Sequence, residues 1–301
     1  MKCFLKQIFI GITVFFALLI PFEYFVIPNI PNEISGKYNF VKQHKDEIKI
    51  LLVGNSYFEN GVNPILIGDS VFDFAMSGRW IHYDNELLKV FIPKMSNLHT
   101  VIYPMGYSKV YDEYSKLPQP HQHQIDFFHE KYMHVWYNRF PQNIDRWFAV
   151  KYSDRIGLKY WYVLTDSTCY KRMGYKPLYG CYVVDEQIKF QDITQVKNAK
   201  KIVKEYTNYL ISMAKICKEY NIRFIVVTPP CHNVFNENIT NVGINTMHDV
   251  IENVRRIAPI EYYDYLLDET FRADTLYHDS SHLNSIGADK FALRLKEDLN
   301  L

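Results

Sequence analysis

The sequence predicts a three-layer α/β/α domain built on a five-stranded, mainly parallel sheet, with one N-terminal transmembrane helix ahead of it. Three observations carry this expectation. Short β-branched apolar runs recur along the chain, amphipathic stretches lie between or after them, and one long apolar run opens the sequence. Strands that alternate with helices form parallel sheets covered on both faces. With 301 residues and a hydrophobic fraction of 48%, the chain can fill one such core and is far from a disordered composition.

The first element is the apolar run 8–20, behind Lys2 and Lys6. Alone it falls short of the roughly 20 residues a spanning helix needs. Extension past Pro21 and Phe22 to Ile27 reaches that length and puts Glu23 near the far interface. No small-residue cleavage site follows, so residues 1–27 read as an uncleaved signal anchor. A buried core helix is the alternative. Basic residues before the span place the short N-terminus in the cytoplasm and the rest of a single-pass protein outside it. Residues 28–45, rich in Pro, Asn and charge, are expected to form a stalk, and 46–301 the α/β domain.

Strands are expected at 48–53, 71–76, 100–103, 223–228 and 260–264, each a short run rich in β-branched or aromatic residues. Helices are expected at 84–91, 196–220, 246–257 and 285–299. In the second of these, Ile202, Val203, Tyr206, Leu210, Met213, Ala214 and Cys217 recur close to a 3.6 period. Residues 108–193, dense in Tyr, Trp, Phe and His, break the rhythm and read as a large insertion between the third and fourth strands. Insertions at loop ends commonly shape a ligand site. These aromatics suit sugar faces or an acyl chain, and a purely structural cap is the equal alternative.

Composition excludes several classes. Lys and Arg number 34 against 33 Asp and Glu, a net charge of +1, so no global field recruits nucleic acid. The five cysteines form no CxxC and no metal-ligand spacing. Cys217 and Cys231 fall in core patterns. Cys169 and Cys181 share a loop-rich region, where either a disulfide or two free thiols would fit. His121, His123, His129 and His134 suggest a metal through His-x-His spacing, but no carboxylate or cysteine completes a ligand set. No metal and no cofactor is expected.

Two motifs carry chemistry. Gly54-Asn55-Ser56 directly follows the first strand, so it sits at the carboxyl edge of the sheet, where ligands bind in open α/β folds. A serine opening a helix there aims its own N–H at a developing oxyanion. Near the C-terminus, Asp279 and His282 lie three residues apart on one predicted loop, ahead of Asn284, Gly287 and the last helix. A serine hydroxyl needs an adjacent base, and a carboxylate on the other imidazole nitrogen fixes tautomer and orientation. The alternative is that Asp279 and Asn284 merely cap the last helix. Asp274 and His278 form a rival acid–base pair at spacing four. Cys231 is a rival nucleophile without a sequence neighbour to activate it, and His232, after the fourth strand, is either a substrate contact or a surface histidine.

Ser56 after the first strand and Asp-x-x-His before the last helix, with five strands of α/β pattern, resemble the SGNH (GDSL-like) hydrolase family. The resemblance spans 48–299 with the insertion unmatched, and its best motif is 279–287. It implies a flavodoxin-like fold, serine-dependent ester chemistry, and Ser56, His282 and Asp279 as the catalytic set. Residues 74–79 (FAMSGR) resemble the family's second block, which implies that Gly78 joins Ser56 in donating backbone N–H groups to the oxyanion. The third block departs from the pattern. Where the family places an asparagine, residues 103–108 read YPMGYS, leaving Asn55 or Ser108 as substitute donors. Loss of one such donor costs about 3 kcal/mol of transition-state stabilisation.

The anchor together with this fold is similar to the membrane-tethered branch of the family, which includes surface-polymer O-acetylation proteins and the teichoic-acid D-alanyl transfer protein. That likeness implies an esterase or O-acyltransferase on the extracytoplasmic face, acting on an acyl ester or a cell-envelope glycan, with a membrane acyl-donor protein as a candidate partner. A non-catalytic envelope glycan-binding or assembly protein on a degenerate fold of the same family is the alternative.

Overall fold

The computed structural model describes residues 2–21, 25, 32–117, 122, 125–126, 129–130, 132–133, 172–181 and 193–301. Five strands form one sheet: β1 (Ile50–Leu52), β2 (Val71–Asp73), β3 (Thr100–Pro104), β4 (Arg223–Thr228) and β5 (Glu261–Asp264). Their order is β2-β1-β3-β4-β5, and every pair is parallel, with Leu51 opposite both Phe72 and Val101. This is the flavodoxin-like order, in which the chain reverses direction across the sheet between β1 and β3 and leaves a crevice at the carboxyl ends of those strands.

Strand side chains alternate between two cores because the strand period is two. Leu51, Val53, Val101, Tyr103, Phe224 and Val226 face one helical layer, while Ile50, Leu52, Ile102, Ile225 and Val227 face the other. The first layer holds α2 (Glu33–His44), α5 (Ile81–Phe91), α6 (Ala199–Glu219) and α8 (Asn241–Arg255). The second holds α9 (Ser285–Asp298), through Phe291, Ala292, Leu295 and its cap Leu299, together with the short helices α3 (Ser56–Glu59) and α4 (Pro64–Ile67). One further short helix, α7 (Asn233–Asn236), follows β4. Both faces of the strands β2, β1, β3 and β4 are buried, which is why these are largely apolar runs without polar alternation, while the edge strand β5 is only partly covered.

The N-terminal helix α1 (Lys2–Pro21) is long and apolar enough to cross a membrane, and Phe9 and Leu18 are 71% and 70% exposed on it. Its 19 apolar-window residues rise about 28 Å, close to the hydrocarbon thickness of a bilayer.

Of the stalk expected at 28–45, residues 28–31 lie outside the described residues and the rest is corrected. Glu33–His44 is a helix started by a capping box, with the Asn32 side chain accepting from Ile34 and Ser35 N–H and the Ser35 hydroxyl accepting from Asn32 N–H. It packs on the sheet domain: Val41 is fully buried, Phe40 stacks on Phe72 at 4.6 Å, and Lys37 is only 1% exposed. Asn32, one of the asparagines read as spacer, is the helix cap, and among the charged residues Lys37 points inward. Most of the insertion at 108–193 lies outside the described residues.

Candidate active site

Ser56 stands at the first turn after β1, held there by local chemistry. Gly54 has φ 111°, and a Cβ on it would lie 2.4 Å from Pro104 Cδ, so only glycine fits between β1 and the end of β3. Gly54 N–H donates to Asp84 Oδ1 at 3.0 Å, and Asn55 caps α3 by accepting from Tyr57 N–H at 3.1 Å. Asp84 is buried. Burial pushes its carboxyl up to about 6, against the lowering influence of Arg79 and the Gly54 N–H.

The second unit is the loop before α9. Tyr277 and Leu283 form an antiparallel bridge, and His278 N–H donates to His282 O at 2.9 Å, closing a tight hairpin around residues 279–281. Within it Asp279 Oδ1 accepts from Ser281 N–H at 2.9 Å and His282 N–H at 2.8 Å. Asn284 caps α9, accepting from Ile286 and Gly287 N–H, and ties back to Thr275 O at 2.8 Å. A Cβ at Gly287 would meet Leu276 O at 2.1 Å, which explains the glycine there. Capping thus falls to Asn284 alone, and Asp279 is left for His282.

The two units meet. His282 Nε2 lies 2.8 Å from Ser56 Oγ, and His282 Nδ1 lies 2.8 Å from Asp279 Oδ2. With Nδ1–H donating to the carboxylate, Nε2 is an acceptor facing the serine hydroxyl. Burial alone would raise the Asp279 carboxyl; the His282 bond and charge and the two backbone N–H donors outweigh it and bring it down to about 2. Asp279 is therefore ionised at neutral pH. Tyr57 stacks on the imidazole at 5.7 Å between ring centres and helps fix its plane. Separated by 226 positions in sequence, Ser56 and His282 come together because β1 and the loop before α9 both end at the carboxyl edge of the sheet.

Gly78 follows β2 on the same edge. It has φ 78° and lies against Ile125 of the insertion, whose Cδ1 would be 3.6 Å from a Cβ on that glycine. Its block is tied to β1 by Met76 N–H donating to Gly54 O at 3.0 Å. Asn55 is buried, with its side-chain oxygen already engaged by the cap. Ser108 opens a 3₁₀ turn (Ser108–Val110), and among the described residues no hydrogen bond joins it to Ser56, His282 or Asp279.

His232 is neither a surface residue nor a member of the set. It is 5% exposed, and its Nδ1 accepts from Val234 N–H at 3.1 Å. Nε2 therefore carries the proton and donates to Asp274 Oδ1 at 2.9 Å. Its own N–H donates to Ser280 O at 3.0 Å, so it braces the hairpin that carries Asp279 and His282. This occupies Asp274, while His278 Nδ1 bonds Tyr179 O at 3.0 Å, and the rival Asp274–His278 pair does not form. Cys231 is buried, and burial pushes its thiol upward, against nucleophilic use.

His129 is fully buried, stacks on Tyr83 at 3.8 Å and accepts from Arg79 Nε at 3.1 Å; burial and the Arg79 charge keep it neutral. His121, His123 and His134 lie outside the described residues. Cys181 is an exposed free thiol, and Cys169 also lies outside the described residues. The chain at 172–181 lines the site loop: Ser285 N–H donates to Leu178 O at 2.7 Å, and Lys176 N–H to Glu59 O at 2.8 Å.

Sequence reasoning passed over Tyr57, Glu59, Asp84 and Lys37. Glu59 had one available signal, its place three residues after Ser56 on the same short helix; Lys37 had none.

No protein-family model and no curated protein matches the sequence. Among solved structures, the chain is similar to a Streptococcus pneumonia protein described provisionally as a platelet activating factor. That match has 12% identity and a TM-score of 0.45, covering 96% of this chain and 98% of the other. The chain is also similar to a GDSL-like lipase from Bacteroides thetaiotaomicron, with 11% identity and a TM-score of 0.42, covering 88% of this chain and 98% of the other. Likenesses this distant carry no functional argument, which rests on the site.

Proposed function

We propose that the protein is a serine-dependent esterase or O-acyltransferase of the SGNH type, anchored by α1 and working on acyl esters of a cell-envelope glycan outside the cytoplasm. The observation that carries this reading is the continuous chain from Ser56 Oγ through the His282 imidazole to the Asp279 carboxylate, at 2.8 Å per link.

The chemistry follows in two balanced steps. His282 Nε2 takes the Ser56 proton as Oγ attacks the ester carbonyl carbon. The carbonyl oxygen becomes an oxyanion, held by the N–H groups of Ser56 and Gly78. Asp279, already ionised, stabilises the imidazolium. As the tetrahedral adduct collapses, the C–O bond to the leaving alcohol breaks and His282 returns the proton to that alcohol. Water or a glycan hydroxyl then repeats the sequence on the Ser56 ester and restores the free serine. Hydrolysis and transfer differ only in that second acceptor. A membrane acyl-donor protein would fit the transferase branch.

The third block favours one competing reading. Residues 103–106 offer no asparagine side chain, which suits a glycan-binding or assembly protein on a degenerate site. Turnover of p-nitrophenyl acetate separates the two. The enzyme reading expects hydrolysis that falls by roughly 10⁴-fold or more in Ser56→Ala and in His282→Ala, and by about 10²–10⁴-fold in Asp279→Asn. Wild-type rates no higher than those of Ser56→Ala would leave the binding reading standing.

A further inference from the structure

Behind the site lies a buried ionic cluster that the reaction above does not use. Lys37, from the helix nearest the membrane anchor in sequence, sends Nζ 2.8 Å from Glu59 Oε1 and 2.6 Å from Ala75 O. The two charged side chains are 1% and 3% exposed. Glu59 Oε2 accepts from Ser77 N–H at 2.6 Å and also from the Ser77 hydroxyl. Glu59 is three residues beyond Ser56 on the same four-residue helix, and Ser77 immediately precedes Gly78.

An ion pair this buried loses hydration that its Coulomb attraction only partly returns, so it is a poor device for stability alone. What it does supply is geometry. One carboxylate joins the helix bearing the nucleophile to the residue before Gly78, and Lys37 supplies the charge that keeps this carboxylate ionised and fixes its second oxygen. We propose that Glu59 and Lys37 are positioning residues: Glu59 clamps Ser77, through its N–H and hydroxyl, against the Ser56 helix and so sets where the following Gly78 N–H lies, and Lys37 couples that clamp to the membrane-proximal helix α2. The proposal rests on the hydrolase reading and deepens it, because the clamped residue immediately precedes Gly78, whose N–H is expected to hold the oxyanion. It also gives α2 a role that a passive spacer lacks. A second contact between Lys176 Nζ and Glu33 Oε2, at 2.9 Å, ties the same helix to the chain beside the site.

Two double variants of the full-length protein test this. Lys37→Met with Glu59→Gln removes both charges but keeps an acceptor for Ser77 N–H. Lys37→Met with Glu59→Leu removes the charges and the acceptor. The clamp predicts a tenfold to hundredfold lower kcat for p-nitrophenyl acetate in the Leu variant at little-changed KM, with kcat within about threefold of wild type in the Gln variant. Equal kcat in the two folded double variants would overturn it. Should the Leu variant fail to fold, Ser77→Ala removes one of the two arms while leaving the ion pair, and predicts a twofold to fivefold fall in kcat at unchanged Tm; an unchanged kcat there overturns the proposal too. Amide hydrogen exchange at Ser77 reads the clamp without activity: slow in wild type and the Gln variant, fast in the Leu variant. A wild-type protein without ester turnover that still shows this exchange pattern would fault the hydrolase reading and leave the clamp intact.

Discussion

Asp73, at the end of β2, is fully buried, and its Oδ1 accepts from Ala75 N–H at 2.8 Å while Oδ2 has no hydrogen-bond partner among the described residues. Burial pushes its carboxyl up to about 7, against the lowering pull of Lys37. A carboxyl whose folded pKa lies above its unfolded value favours the native state only while protonated. Its contribution is full below the ordinary 3.8 and is lost as pH rises to about 7. Asp73→Asn keeps the acceptor for Ala75 and cannot ionise. The variant should gain on wild type as pH rises from 4 to 7, by up to roughly 3 kcal/mol, with a constant gap above. Urea unfolding at pH 4, 6 and 8 checks this; a gap independent of pH would refute it. At this scale the sequence was most informative where chemistry restricts residue type. Serine after a first strand and Asp-x-x-His before a last helix were legible because few other residues can do that chemistry. Lys37 and Glu59 were not, because a charged residue in sequence reads as solvated and only the tertiary fold reveals an inward-facing pair.

At the scale of elements, the tight packing of β1 against β3 rests on glycine. Gly54 combines a positive φ with Pro104 where its Cβ would be. Gly54→Ala should cost on the order of 2–4 kcal/mol and shift Ser56 away from His282, seen as a lower Tm with a disproportionate loss of the proposed turnover of p-nitrophenyl acetate. Retention of both would mean the turn is more tolerant than its geometry implies. The strands and the long helices were readable because each carries a strong period: α6 is expected at 196–220 and found at Ala199–Glu219, and β4 coincides with the expected 223–228. Helix α2 escaped although Ile34, Tyr38 and Val41 recur at i, i+4 and i+7 and pack on the core, because the stripe is short and sits among Pro, Asn and charged residues. His232 likewise reads as a surface residue in sequence, yet its place after β4 puts it under the hairpin it braces.

For the whole molecule, α1 is an apolar helix with little of its surface covered, and the α/β domain carries the site on one edge of its sheet. With Lys2 and Lys6 at the near end of the span, a reporter fused after Leu301 should be active only outside the cytoplasm. Cytoplasmic reporter activity would reverse the orientation and with it the access to an envelope glycan. The fold class followed from strand and helix alternation on both sides of the insertion, which survives local misreadings. Substrate choice was not readable in the same way, because the aromatic residues of the insertion, without a clear period, fit a ligand groove and a structural cap equally well.

The most direct test of the central claim is covalent labelling of the intact protein with a fluorophosphonate, followed by peptide mapping by mass spectrometry. An activated serine hydrogen-bonded to the His282 imidazole should give one adduct, on Ser56, absent in Ser56→Ala and slowed at least about a hundredfold in His282→Ala. A wild-type protein that stays unlabelled, or an adduct that persists in Ser56→Ala, would contradict the assignment of Ser56 as the nucleophile.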